Sequence, residues 1–340
     1  MSLNKRQINL LQRTLDHRKP LIDPQHRSAL RLLNGFYEGI PDLLVDLYGS
    51  TLVFYNYADP AQKAQTILDD LQYWYRSELP WVKSILVKTR ISPDPEARRG
   101  NIIYGNQLEK SITENDIRYA LDLRVNQDAS FYIDTRALRS WLHTNMAGKT
   151  ILNTFAYTGS LGVAALAGGA AKVIQTDINP RFLGLAKKSC ALNHIAIRQS
   201  DFFALDFYKM VNRFKTNQTL FDCVIIDPPF FSVSSAGKVD LVNESKRLIN
   251  KVRPLIAHDG WLITINNALF VSGAEVMSQL QELCQGVYLN FKEIIPVPED
   301  VTGFEDTKVK TPPTDPTPFN HPTKIAILRV SRKDGKRASQ

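Results

Sequence analysis

Cysteine is scarce in this chain, and the three present, Cys190, Cys223 and Cys284, lie far apart with no Cys-x-x-Cys pair. That spacing supports neither a disulfide framework nor a zinc site, and no metal is expected. Long apolar runs are missing too: no stretch approaches the ~18 residues that a membrane span needs. The first 31 residues are polar and hold no apolar signal core. These absences point to a soluble, cytoplasmic protein without a membrane partner. Glycine is sparse where a dinucleotide enzyme would concentrate it, since the one loop of that type carries only Gly159 and Gly162. A Gly-x-Gly-x-x-Gly pyrophosphate cradle is therefore lacking, which argues against a nicotinamide or flavin dehydrogenase.

What is present is a chain of 340 residues, 44% hydrophobic, long enough for two domains with sizeable cores. The net charge of +8 is uneven. Residues 1–31 hold seven Lys/Arg against two Asp, and Arg329 to Gln340 hold five against one, so the middle is close to neutral. Basic ends on a neutral body suit contact with a polyanion such as RNA, although a solvated helix and a frayed tail have the same composition.

Apolar spacing at Ile8, Leu11 and Leu15 predicts an amphipathic helix over Asn4 to Leu15. Leu43 to Tyr48, Gly49-Ser50 and Thr51 to Tyr55 read as strand, tight turn, strand. A helix over Gln62 to Leu79 and strands over Val82–Val87, Ile102–Tyr104 and Ile117–Leu123 complete a small α+β module. The second half alternates. Strands fit Thr150–Asn153, Lys172–Thr176, Asp222–Ile226 and Trp261–Ile265. Helices fit Leu161–Ala167, Pro180–Asn193, Val239–Ile256 and Ala274–Cys284. Alternation of this kind predicts an α/β, Rossmann-like, doubly wound and mostly parallel sheet. Phe291–Pro296 and Lys324–Val330 are expected to pair antiparallel, with the proline-rich loop Thr311 to Pro318 between them. The expected organisation is a basic helical segment over 1–30, an α+β domain over 31–125 and the Rossmann-like domain over 126–335.

Chemistry concentrates at strand ends. Asn153-Thr154-Phe155-Ala156-Tyr157-Thr158-Gly159 leaves the first parallel strand and enters a helix whose free N–H groups suit an anion such as a carboxylate. Gly159 permits a tight turn and close approach of a ligand. Asp177 ends the next strand, 18 residues after Gly159, at a spacing where an acid accepts ribose hydroxyls; an Asp there could equally cap the following helix. Asp201-Phe202, expected just after a third strand, could hold an adenine amine and cover its ring, or be a loop acid beside a core aromatic. Asp227-Pro228-Pro229-Phe230 ends the apolar run Cys223 to Ile226. Its prolines stop the strand and fix a rigid turn at the edge where α/β sheets bind ligands. An acid, carbonyls and an aromatic face there suit a flat nitrogenous ring.

This ordered set resembles the class I S-adenosylmethionine-dependent methyltransferases. More narrowly, it is similar to the bacterial family containing the large-subunit ribosomal RNA cytosine-C5 methyltransferase, over roughly residues 30–330. Arg31-Leu32-Leu33-Asn34-Gly35-Phe36-Tyr37-Glu38-Gly39-Ile40-Pro41-Asp42-Leu43 resembles the opening of that family's central domain. Phe131-Tyr132-Ile133-Asp134-Thr135-Arg136 resembles its segment ahead of the methyltransferase fold. Phe155 to Ser160 resembles its cofactor loop, and Asp227 to Phe230 its target-base loop. The resemblance implies S-adenosylmethionine as cofactor, lined by Tyr132, Asp134, Arg136 and the Asn153–Gly159 loop, with Asp177 on the ribose and Asp201 on the adenine. Asp134 and Arg136 could instead be a helix-capping acid and a surface charge. It also implies an RNA substrate, ribosomal in that family, with Asp227 to Phe230 receiving the base. A homodimer is compatible with the sequence.

Two departures stand out. Family members carry an N-terminal RNA-binding domain where this chain has a basic stretch of about 30 residues. Transfer to cytosine C5 needs a thiolate that attacks C6, and related enzymes hold that cysteine just after the strand equivalent to Trp261–Ile265, where this chain has Asn266-Asn267. The expectation is therefore transfer to a base nitrogen, which needs no covalent catalyst. Asp227, the Pro228 carbonyl, Phe230 or Phe231, and Asn266 or Asn267 would position the base. Cytosine-C5 transfer and a non-catalytic cofactor- or RNA-binding factor are the alternatives.

Overall fold

A computed structural model describes residues 3–234 and 237–338. The chain forms two compact units, Met1–Asp134 with Pro298–Thr311, and Thr135–Val297 with Pro312–Gln340.

In the first unit, α1 (Lys5–Arg18) is opened by a capping box between Asn4 and Gln7. Its apolar stripe, Leu11 and Leu15, is fully buried with Leu30, Leu32 and Leu33. Each such leucine contributes about 1.5–3 kcal/mol on burial, so α1 shares the core of the small unit instead of standing apart as a segment. Strands β1 (Ala29–Asn34), β2 (Leu43–Tyr48) and β3 (Thr51–Asn56) run antiparallel, with Gly49 at φ +56° in the hairpin turn. Helix α2 (Gln65–Glu78) crosses over to β4 (Ser84–Thr89), which is parallel to β3. After α3 (Pro95–Arg99), β5 (Asn101–Tyr104) closes a five-stranded sheet ordered β1-β2-β3-β4-β5. A hairpin of β6 (Ser111–Glu114) and β7 (Ile117–Ala120) follows. The strand predicted to reach Leu123 stops at Ala120.

Charged groups are buried in this unit as well. The Arg18 guanidinium forms a two-bonded pair with Glu38, each bond 3.0 Å, and both side chains are wholly buried. Glu38 also accepts from Thr307 Oγ1 at 2.6 Å, and Arg18 donates to the Asp300 carbonyl at 2.8 Å. The returning segment 298–311 is thus fastened within the small unit by hydrogen bonds to a buried ion pair.

The second unit opens with α4 (Arg136–Asn145). It then alternates β8 (Thr150–Thr154), α5 (Ser160–Ala167), β9 (Lys172–Asp177), α6 (Pro180–Leu192), β10 (Phe202–Ala204), α7 (Phe207–Thr216) and β11 (Phe221–Ile226). A hairpin of β12 (Phe231–Ser234) and β13 (Gly237–Asp240) precedes α8 (Leu241–Val252) and β14 (Ile256–Asn266). Helix α9 (Gly273–Cys284), β15 (Leu289–Ile295) and β16 (Lys324–Val330) end the unit. The seven-stranded sheet runs β10-β9-β8-β11-β14-β16-β15, and only its last two pairings are antiparallel. Successive residues feed opposite cores: Ile151, Val173, Cys223 and Ile263 pack on the α4–α5 side, while Leu152, Ile174, Val224 and Leu262 pack on the α7–α8 side. Burial on both faces explains why these strands read as unbroken apolar runs.

The helix predicted over Val239–Ile256 is shorter at both ends. Val239 and Asp240 belong to β13, where Asp240 caps α8 by accepting from Asn243 N at 3.1 Å, and Pro254 breaks the helix before Ile256 opens β14. The proline-rich loop is seated on the start of α9: Gly273 N donates to Asp315 O at 2.9 Å, and a Cβ on Gly273 would lie 1.8 Å from Pro316 O. No helix among the described residues is long and apolar enough to cross a membrane.

Candidate active site

Strand order reverses at β8, with β9 on one side and β11 on the other, so the crevice beyond its carboxyl end is the topological switch point of the sheet. The loop leaving β8 is tightly wound: Phe155, Tyr157 and Gly159 have φ of +53°, +50° and +76°. Left-handed φ in two aromatic residues costs energy and marks a constrained segment. Tertiary bonds enforce it. Ala156 N donates to Thr176 O at 2.8 Å, Gly159 N to Ala156 O at 2.8 Å, and Tyr157 N to Asp177 Oδ2 at 2.9 Å. The rings of Phe155 and Tyr157 are occupied by Phe207 and Phe182, with centroids 4.8 and 4.6 Å away.

Gly159 takes the expected left-handed turn, and the protein beneath adds a second reason for it. A Cβ there would lie 2.4 Å from Ala186 Cβ and 2.5 Å from Gln175 Oε1, so its missing side chain accommodates the protein beneath as well as the turn. Asn153 is wholly buried, with Nδ2 3.5 Å from Gln175 Oε1. Both support the loop from below. As cap of α5, Gly159 offers no side-chain acceptor, so the first N–H groups of the helix keep their capacity for an anion.

Asp177 is held on both oxygens, by Tyr157 N and by Asn179 N at 2.9 Å. Burial pushes its carboxyl above the usual carboxylate range, and the backbone N–H donors partly offset this. The cap of α6 is Asn179, accepting from Arg181 N at 3.0 Å, so Asp177 is not the helix cap. Beside it, Ile178 is 67% exposed, an apolar contact that sequence reading passed over because a lone isoleucine carries no motif. Asp201 precedes β10 instead of following a strand: it closes the turn Gln199–Asp201 and β10 begins at Phe202. It is nearly buried, 3.5 Å from Lys172 Nζ, and Lys187 Nζ lies 5.2 Å from the centre of the Phe202 ring.

Tyr132, whose hydroxyl donates to Asp128 at 3.1 Å, and Asp134 lie at the end of the first unit. Arg136 is the first residue of α4 in the second, where Thr135 holds the N-cap position without a side-chain cap hydrogen bond.

Asp227 leaves β11 half-buried, Pro228 is buried, and Phe230 and Phe231 are 52% and 54% exposed. Phe230 O accepts from Leu241 N at 3.1 Å, and Lys238 Nζ of the β12–β13 hairpin lies 5.4 Å from the centre of the Phe231 ring. The parallel register Ile226↔Thr264 sets the exit of β14 beside this turn. There the two asparagines differ. Asn266 is buried and accepts from Ala268 N at 3.0 Å, whereas Asn267 is exposed. Lys324 Nζ secures the same loop by donating to Ala268 O at 2.9 Å and Pro322 O at 2.6 Å. A cavity of about 30 Å³ behind Pro228 and Asn266 has room for a water or two, so a base would meet the outer face of the turn.

This geometry suits a nucleoside held along β8 and β9 with a planar acceptor beyond β11. The sequence matches S-adenosylmethionine-dependent methyltransferases over residues 59–301. The chain belongs to this family. Among relatives, it is 27% identical to ribosomal RNA large subunit methyltransferase I of Aeromonas salmonicida over 73% of this chain and 63% of that protein. It is 26% identical to the protein of the same name from Tolumonas auensis, over 90% of this chain and 76% of that protein. A Streptococcus mutans structure described as a SAM-dependent methyltransferase superposes with a TM-score of 0.80 at 23% identity, covering 97% of this chain and 82% of that one, which shows the shared fold.

The methyltransferase family uses S-adenosylmethionine, and the residues at the switch point fit that group. The anchored Asp177 suits a diol, the uncapped start of α5 suits a carboxylate, and exposed Ile178 suits a flat ring. The methyltransferase has no thiol at its strand exits. Cys223 is wholly buried inside β11, where burial pushes its thiol far up. Cys190 is buried in α6 with its thiol raised to about 11, and Cys284, on α9, is raised by burial as well. Among the described residues no group of three or more His, Cys, Asp or Glu is placed to hold a metal.

Proposed function

We propose that this methyltransferase modifies a base of ribosomal RNA in the cytoplasm, at a ring or exocyclic nitrogen. The single observation that carries the choice of atom is the pair Asn266-Asn267 at the exit of β14, beside the Asp227 turn, with all three thiols elsewhere. Relatives named as ribosomal RNA large subunit methyltransferases support the class of substrate.

Asn153 to Gly159, Asp177, Asp201 and Phe202 would hold S-adenosylmethionine, with Tyr132, Asp134 and Arg136 as further contacts. When bound, this group supplies an electrophilic methyl carried on a sulfonium. The chain's own task is to aim a lone pair at it. Asp227 would accept a hydrogen bond from the amine or ring N–H and hold the base in line, an orientation effect that removes much of the entropic barrier. Phe230 would stack on a base taken out of its helix, and exposed Asn267 would read its edge. The second unit would carry this chemistry and the first would dock RNA.

Nucleoside mass spectrometry of ribosomal RNA from a strain lacking the protein tests the reading. Loss of one N-methylated nucleoside is expected, while a missing 5-methylcytosine would refute it.

A further inference from the structure

The seven cations of residues 1–31 are not equivalent once folded. Arg18 is sealed against Glu38, and Arg31 pairs with buried Asp46 at 2.8 Å. Lys19 pairs with Glu78 at 3.1 Å and Arg27 with Asp23 at 3.4 Å. Lys5, Arg6 and Arg13 are left, all exposed and without an ion pair among the described residues. They share one face of α1, where they line a shallow groove with the amides Asn9 and Gln12.

Two features set this face apart from a merely solvated one. Helices favour acids in the first turn and cations in the last, because of their dipole. Helix α1 has no acid in its first turn, where Lys5 and Arg6 sit, so that pair works against the helix it occupies. Of the acids near α1, Asp70 accepts from Leu3 N at 2.7 Å, Asp16 is engaged by Gln12 at 3.0 Å, and Asp306 is engaged by His17 at 2.9 Å with Arg13 acting on it only at longer range. Secondly, the apolar face of α1 is committed to the core through Leu11 and Leu15, so α1 cannot lay that face into a lipid surface as membrane-binding helices do.

We infer that Lys5, Arg6 and Arg13 form a phosphate-tracking stripe that docks the RNA substrate, an inference that rests on the RNA reading above. Lys5 to Arg13 spans about 12 Å along the helix, a length over which a nucleic-acid strand presents about three phosphates. Asn9 and Gln12 would add hydrogen bonds to the same backbone.

The test compares the full chain with a variant carrying Lys5→Gln, Arg6→Gln and Arg13→Gln, and with a control carrying Lys149→Gln, Lys292→Gln and Lys333→Gln. Binding to a labelled single-stranded RNA of about 30 nucleotides and mixed sequence is followed against salt. The stripe variant should bind roughly tenfold or more weakly, and its plot of log affinity against log salt should be shallower by about 2, at about 0.7 per phosphate. Its melting temperature should not fall, since the cations removed oppose the dipole of α1, and its affinity for S-adenosylhomocysteine should not change. An unchanged slope, or an equal loss in the control, overturns the stripe while leaving the RNA reading intact. No RNA binding by the unaltered protein overturns the RNA reading itself. Binding to phosphatidylglycerol vesicles that needs these three cations, with RNA binding unaffected, assigns the stripe to a membrane and overturns the inference.

Discussion

Asp177 joins two tasks in one carboxylate. It accepts from Tyr157 N and Asn179 N, which fixes the loop leaving β8, and in the proposed site its remaining lone pairs would take a ribose diol. Charge-assisted hydrogen bonds of this kind contribute about 1.5–3 kcal/mol each. Asp177→Ala is expected to weaken S-adenosylhomocysteine binding at least tenfold by calorimetry, and unchanged affinity would remove Asp177 from the pocket. At this scale the sequence was readable where a residue type is chemically singular. Asp177 and Asp227 stood out as acids at strand exits, and for Asp177 the structure removes the helix-cap alternative because Asn179 caps α6. Gln175 and Lys324 could not, because nothing in a sequence reports that a mid-strand amide lies under Gly159 or that a strand lysine secures the Asn266 loop.

The parallel strands announced themselves as elements, since burial on both faces leaves an apolar run that few other structures produce. Short or edge elements did not. The three-residue β10, the β12–β13 hairpin and the capping position of Asp240 are set by tertiary partners, and local propensity had drawn Val239–Ile256 as one helix. Charge misled in the same way: the seven cations of the N-terminal stretch looked alike until Arg18 proved to be an interior residue. Removing one partner of such a buried pair leaves an uncompensated charge and costs about 3–5 kcal/mol. Glu38→Ala should therefore lower the unfolding free energy obtained from urea denaturation by that amount, whereas Asp16→Ala, on the exposed face of α1, should stay within about 0.5 kcal/mol. Lys324 gives β16 a pH signature. Burial pushes its ammonium down to about 8, from 10.5 in the free side chain. Between those values the unfolded chain holds a proton that the folded chain has released, so folding is favoured more as pH rises from about 8 to 10.5. Measured against Lys324→Met, the stability of the native chain should rise across that window and run parallel below pH 8. Parallel behaviour throughout would mean that the two carbonyls keep the lysine charged.

At the scale of the whole molecule, the methyltransferase fold alone leaves the target atom open. The choice depends on which nucleophile the chain can supply. A carbon-directed route needs a thiolate within reach of the base, and the thiolate must be accessible in a setting that lowers its pKa. All three cysteines have the opposite environment: buried or half-buried, with raised thiols. Cys190→Ala, Cys223→Ala and Cys284→Ala combined should therefore keep methyl transfer to ribosomal RNA within about threefold, once the stability lost at buried Cys223 is allowed for by assaying well below the melting temperature. Asp227→Ala should instead lower the rate about a hundredfold or more, on the scale of losing a positioned acid-base partner, with affinity for S-adenosylhomocysteine unchanged. Radiolabelled methyl incorporation into ribosomal RNA reads both variants. Activity lost in the cysteine-free chain and retained in Asp227→Ala would reverse the assignment and return the chemistry to carbon.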